Sequence, residues 1–533
     1  MSEQPSLDAE QVRSAEIVAA LSLATDLGIA VPLEHGLHST LFAMRLIDRL
    51  GVDKESAALT YYACLLFYIG CTAGAETASR LFGDEEGLTK YATPTRFGSR
   101  AEMVSGFLRA LAPPGNPVPT RALQIARGVP GAAKAFKTQL AAQCEVGQML
   151  SGRLGLLASV QKLFAHLAER WDGKGEPGHS KKDEIPLSVR IVHVARDAEF
   201  QRMLGGEAYA ARVIRERGGG AFDPEIAACL ADEAGAILAL DTDSSAWEET
   251  LASEPTPHLI LEGESIDSAL WAMGDFADLA SSYLVGHSAG VATLAAAAAT
   301  RCGLATTDVA MIQRAGHVHD LGRVAVPVGI WQKKGALSPD EWERVRLHAY
   351  HSERILSRSP FLAALAPVAT SHHERLDGTG YHKGISSSVL PSAARVLAAA
   401  DAFRAMREPR PHRAALSPDR AAEILTQEAR DGRLDPDAVA GVLDASGQPV
   451  PRIPRPSGLT ERESEVIGLL ARGLTTKEMA RALGISVKTA DRHIQNAYGK
   501  IGISTRAAAA MFAMQHGLVA WGEIPIARPG TKS

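Results

Sequence analysis

Eight of the seventeen histidines lie between His287 and His382, with Asp320 among them and Asp401 just beyond. Neutral imidazole is the commonest nitrogen donor to protein-bound metals, and carboxylate supplies hard oxygen. The residues His287, His319, Asp320, His348, His372, His373 and Asp401 therefore read as a ligand set of five imidazoles and two carboxylates. Mixed donors without thiolate suit iron, manganese or zinc, and the number exceeds what one tetrahedral zinc requires. The expectation is two divalent ions. On one helix, His319 and Asp320 would point about 100° apart, so Asp320 would bridge the ions while His319 binds one. Two ions about 3.5–4 Å apart would hold a hydroxide between them. His317, His351 and His382 are read as ordinary solvated or hydrogen-bonded side chains, and Lys333, Lys334 and Lys383 as solvated charges.

The elements that must position these residues are Ala- and Leu-rich amphipathic helices, punctuated by loops at 113–117 and 172–178. The chain also repeats itself. Glu169-Arg170-Trp171-Asp172-Gly173-Lys174-Gly175 resembles Glu374-Arg375-Leu376-Asp377-Gly378-Thr379-Gly380, and Arg190-Ile191-Val192 resembles Arg395-Val396-Leu397. His35 precedes Phe67-Tyr68 by 32 residues, as His287 precedes His319-Asp320, and FDPE at 222–225 matches LDPD at 434–437. Two tandem helical domains follow, residues 10–240 and 265–445. The first has Phe67-Tyr68 and Leu167-Ala168 where the second has His319-Asp320 and His372-His373, so the first is read as chemically dead.

Length and composition agree with a folded, multi-domain chain. The 533 residues are 46% hydrophobic and 22% charged, which excludes disordered and fibrous classes. A net charge of -5 carries no nucleic-acid signature over the whole chain, so any such signature must be local. Five cysteines far apart, with no C-x-x-C pair, read as reduced thiols of a cytoplasmic protein. The acidic N-terminus, Met1–Glu10, lacks the features of a signal peptide. Residues 57–75 carry no charge but include Thr60, Thr72, two glycines and three tyrosines, and are read as a buried helix and turn, not a membrane span.

The segments His287, His319-Asp320-Leu321-Gly322-Arg323, His348, His372-His373 through Gly378-Thr379-Gly380-Tyr381, and Asp401 resemble the HD-GYP branch of the HD metal-dependent phosphohydrolases. The resemblance implies an all-helical fold and hydrolysis of a cyclic dinucleotide, notably cyclic di-GMP, by in-line attack at a di-metal or tri-metal site, with Asp320 and Arg323 as catalytic residues and Arg323 stabilising charge on the phosphoryl oxygens. Arg323 stands where lysine is usual, His382 replaces the proline of GYP, and Tyr283 occupies the position of the extra glutamate in tri-metal members. Two ions are therefore expected here, with the phosphorylated nucleotide unspecified.

Prolines at 449, 451, 454 and 456 make 446–458 an extended spacer. Beyond it, the pairs Thr460 with Glu463 and Thr475 with Glu478 have capping-box spacing, Gly484 ends one helix, and Ser486 can cap the next. Helix, short turn, helix is the helix-turn-helix plan. Its second helix, Val487 to about Lys500, turns Ala490, Ile494, Ala497 and Tyr498 inward and leaves Lys488, Thr489, Arg492, His493 and Asn496 outward, suited to phosphates and base edges. From Leu459 to Arg506 eight basic residues face five acidic ones. This module, residues 459–520, resembles the LuxR-type four-helix DNA-binding domain, which implies double-stranded DNA as partner and dimerisation through the helix near Ser504–His516.

An all-α, cytoplasmic, homodimeric transcription regulator is the reading that results, with no membrane partner. One version gives it an active phosphodiesterase whose substrate or metal state biases DNA binding. A second keeps the metals for sensing a nucleotide or redox state without turnover, and a third treats the helical repeats as a dimerisation scaffold.

Overall fold

The computed structural model describes residues 11–82, 99–241, 244–385, 389–450 and 456–519, which are almost entirely helical. Met1–Glu10 and the spacer prolines at 451 and 454 lie outside the described residues. Among the described residues the strands are Gln11–Arg13 and Ile260–Glu262, paired antiparallel with Val12 opposite Leu261. The charge-free stretch falls within Lys54–Thr77, which is long and apolar enough to cross a membrane. Two observations make it core: its apolar stretch is mostly buried, and it breaks after the helix Lys54–Leu65 into a 3-10 turn, Ile69–Gly74.

The internal repeat is visible in where helices start. His35–Leu50 and His287–Arg301 each begin on the first histidine of a copy, and the next helices are Lys54–Leu65 and Thr306–Val318. Each is followed by a 3-10 turn, Ile69–Gly74 or Leu321–Ala325. Leu187–Glu216 and Ser392–Arg407 both start three residues before the matching arginine, Arg190 or Arg395. Those arginines explain the repeated D-P dipeptides. Arg190 pairs with Asp223 at 2.6 Å and Arg395 with Asp435 at 3.1 Å, and each aspartate caps the helix that follows it, Pro224–Asp232 or Pro436–Ala445. In each copy one part-buried ion pair therefore fixes both the long helix and the N-terminus of the next.

Two compact units form. One comprises the chain up to Gly286 together with Asp320–Ala363, the other His287–His319 and the chain from Ala364 onward. Within the first unit the 320–363 segment lies on the buried helix Ser14–Gly28. Ser359 Oγ donates to Glu16 at 2.5 Å, Arg358 pairs with Glu34 at 2.9 Å, and a Cβ added at Gly28 would stand 3.3 Å from that of Val324. Within the second unit, His287–Arg301 packs closely on Thr306–Val318. A Cβ at Gly316 would come within 2.7 Å of Ala292 Cα, so glycine there and the alanine run opposite set the spacing. The C-terminal module belongs to the same unit, where Arg395 donates to the carbonyl oxygen of Gly517.

Candidate metal centre and nucleic-acid interface

The histidine-aspartate dipeptide stands at a helix end. Thr306–Val318 stops one residue before His319, and Asp320 has left helical geometry at φ -103, ψ 14. The 100° argument for two neighbours on one helix therefore does not hold. The two side chains diverge because the backbone turns between them, into the 3-10 segment Leu321–Ala325.

In the second unit five expected ligands converge. His287 Nε2 lies 3.2 Å and His319 Nε2 3.9 Å from the same oxygen, Asp401 Oδ1. His373 Nδ1 lies 3.8 Å from Asp401 Oδ2, and the His372 ring is 4.7 Å from that of His319 and 4.1 Å from that of His373. His287, His319, His372 and Asp401 are buried, and the Tyr381 ring lies 4.2 Å from that of His373. His319 Nδ1 faces the Gly316 carbonyl at 2.8 Å and His372 Nδ1 the Ala369 carbonyl at 2.7 Å. A carbonyl only accepts, so each Nδ1 carries the proton and each Nε2 presents a lone pair. Lone pairs aimed at a carboxylate oxygen repel unless a cation stands among them. Two imidazole nitrogens and a carboxylate oxygen make a donor set that fits a divalent metal.

In the first unit, Asp320 takes His348 Nε2 at 3.2 Å on Oδ1 and Arg323 at 2.7 Å on Oδ2, all three buried. His348 Nδ1 is held by the Val345 carbonyl at 2.5 Å, and the Arg323 guanidinium lies 5.3 Å from the Trp331 ring. Gly322 is what lets this turn close. A Cβ there would come within 2.2 Å of the His348 carbonyl oxygen and 2.4 Å of Ser352 N. Of the lysines read as solvated charges, Lys333 pairs with Glu341 at 2.6 Å and Lys383 donates to Thr370 at 2.9 Å.

The first copy differs more than its sequence suggested. Counting from the matched helix starts, Arg196 occupies the position of Asp401, and its guanidinium lies 4.3 Å from the Phe67 ring and 5.4 Å from the Tyr68 ring. A fixed organic cation on aromatic faces stands where the second copy gathers its candidate metal ligands. The signal was present in the Arg190 and Arg395 alignment, once carried six residues further.

The C-terminal module forms Glu461–Ala471, Thr476–Ala482, Val487–Ile501 and Arg506–Gln515. Both capping boxes are made, and Ser486 accepts from Thr489 N. Ala490, Ile494 and Ala497 are buried, the last two in a core with Val466, Ile467 and Met479. Lys488, Arg492 and Asn496 are exposed, Thr489 and His493 half-buried, as an outward stripe requires. Lys500 turns back to Glu463 at 2.6 Å and leaves that stripe.

Comparison with known proteins agrees with this anatomy. Residues 116–226 and 272–438, together more than half of the chain, match the HD domain family, and residues 457–513 match bacterial regulatory proteins of the luxR family. The chain is 27% identical over 434 residues to 3'3'-cGAMP-specific phosphodiesterase 3 of Vibrio cholerae, covering 81% of this chain and 94% of that protein. It is 38% identical over 129 residues to a cyclic di-GMP phosphodiesterase of Thermotoga maritima, covering 24% of this chain and 35% of that one. The crystal structure of a cyclic GMP-AMP specific phosphodiesterase of V. cholerae superposes with a TM-score of 0.57 at 24% identity, over 82% of this chain and 98% of that chain, and shares its fold.

Proposed function

Because the chain belongs to the HD domain family and ends in a luxR-family module, we propose that it is a DNA-binding regulator that hydrolyses a cyclic dinucleotide, cyclic di-GMP or cyclic GMP-AMP. The observation that carries this reading is the convergence of His287 and His319 on Asp401 with both Nδ1 atoms already engaged.

Two divalent ions, iron or manganese, would polarise a phosphoryl oxygen and make bound water acidic. His287, His319 and Asp401, with His372 and His373 beside them, would hold one, and Asp320 and His348 would supply ligands to the other. Arg323 fixes the orientation of Asp320 and keeps a positive charge where phosphate must come. Tyr381, on the loop after the DG turn, restrains the His373 ring. Lys488, Thr489, Arg492, His493 and Asn496 would meet double-stranded DNA, as a homodimer in the cytoplasm.

One observation favours sensing without turnover. The Arg323 guanidinium is engaged by Asp320, which leaves it less able to follow charge onto a phosphate. Elemental analysis, with hydrolysis of cyclic di-GMP and cyclic GMP-AMP on the same sample and on Asp320→Ala, separates the two. Two ions per chain with hydrolysis abolished in the variant supports the enzyme. Ions without hydrolysis supports the sensor, and no metal after anaerobic loading with iron or manganese removes both.

A further inference from the structure

Three candidate histidine ligands are oriented alike. His319, His348 and His372 each place Nδ1 on the carbonyl three residues earlier, those of Gly316, Val345 and Ala369. His287 cannot copy them. It is the first residue of its helix and follows Gly286 at φ 78, so no preceding helical turn offers it a carbonyl. Its Nδ1 instead lies 2.9 Å from Glu408 Oε2.

Glu408 is held for this task. It caps the C-terminal end of the helix Ser392–Arg407, and Arg404 and Arg410 grip its carboxylate at 2.9 and 3.1 Å. One stretch of chain therefore supplies carboxylates to both sides of His287, Asp401 at Nε2 and Glu408 at Nδ1.

The first copy provides an internal control. Its helix Leu187–Glu216 starts in register with Ser392–Arg407, which places Met203 at the position of Glu408 and Arg196 at that of Asp401. His35, the counterpart of His287, is buried with neither ring nitrogen in a hydrogen bond. Where the ligands are gone, the carboxylate behind the retained histidine is gone as well.

We infer that Glu408 is a positioning residue for the metal centre: it fixes His287 as an Nε2 donor, and its charge strengthens that donor, so the ion at His287, His319 and Asp401 is the more tightly held of the two. The inference rests on the metal-binding reading above. A charged acceptor behind a ligating imidazole fixes its tautomer and raises its basicity, and removing such a partner lowers metal affinity about 10–100-fold.

The test is equilibrium dialysis of the full-length protein against Mn2+, with the bound ion also followed by its electron paramagnetic resonance spectrum. The variants are Glu408→Gln, Glu408→Ala and Asp401→Ala. Asp401→Ala should lose one ion. Glu408→Gln, which keeps an acceptor oxygen without charge, should keep two ions and bind the tighter one about 10-fold more weakly, with Glu408→Ala weaker again, near 100-fold. The Mn2+ spectrum should change in both. If Glu408→Ala disrupts folding, seen by circular dichroism, the isosteric Glu408→Gln decides alone. Wild-type affinity and spectrum in Glu408→Gln would overturn the inference and leave the metal reading intact. Absence of Mn2+ from wild type would overturn both.

Discussion

Ser359 donates its hydroxyl to Glu16 at 2.5 Å, and so ties the segment bearing Asp320 and His348 to the first helix of the opposite repeat. That segment also buries Val324, Ile355 and Leu356 within the same compact unit. A fragment of residues 265–445 should therefore lose cooperative unfolding and bind Mn2+ with less than two ions per chain, measured by calorimetry and dialysis. Full occupancy in the isolated fragment would show that the first repeat is dispensable for the site.

Gly322 offers a sharper perturbation. A methyl group at this position meets the backbone of the helix His348–Leu356, which cannot yield as a flexible side chain can. Gly322→Ala should destabilise by about 1–3 kcal/mol or more through overpacking, and should separate Asp320 from His348. Thermal unfolding and metal content should fall together, whereas Gly303→Ala, in open space but at φ 73, should disturb stability alone.

Acid should act on the first repeat. Burial, opposed for His35 by Glu199, brings both His35 and His193 from the ordinary 6.5 down to about 3. Between those values the unfolded chain binds protons that the folded chain does not, so stability is fully present above 6.5 and is lost as pH falls. Each group contributes about 1.4 kcal/mol per pH unit in that window. His35→Leu should flatten the decline of the unfolding midpoint from pH 6.5 to 4.5 by one proton. An unchanged slope would mean that His35 is charged or solvated in the fold.

For the DNA-binding helix, the expectation concerns salt. Arg492→Ala and Lys488→Ala should each weaken binding and lower the slope of log affinity against log salt by roughly 1 for every phosphate left without its cation. Fluorescence anisotropy at several salt concentrations measures this, and metal content should not move. Lys500→Ala should instead reduce module stability, since Lys500 is spent on Glu463.

What could be read in advance depended on whether chemistry leaves a pattern. His319-Asp320, the DG loops and the Thr460 and Thr475 caps are short-range signatures, because neighbouring atoms fix their geometry. Glu408 is one of 61 acidic residues, with no local pattern to separate it from the others. Its role comes from a helix end brought to His287 by tertiary packing. Arg196 was hidden for another reason: a residue that replaces a ligand with the opposite charge looks like an ordinary surface arginine until its ring partners are seen. The backbone turn between His319 and Asp320 was likewise invisible, since helix ends are the least determined part of a periodic pattern.

Arg196 also acts as an evolutionary ratchet. Restoring aspartate at that position alone would bury an unpaired carboxylate against Phe67 and Tyr68, and restoring histidine and aspartate at 67 and 68 alone would leave them facing a guanidinium. Each single reversion is worse than the present state. On the metal-binding reading, the first repeat would take an ion only after several simultaneous changes, so chelators or metal starvation would act through the second repeat.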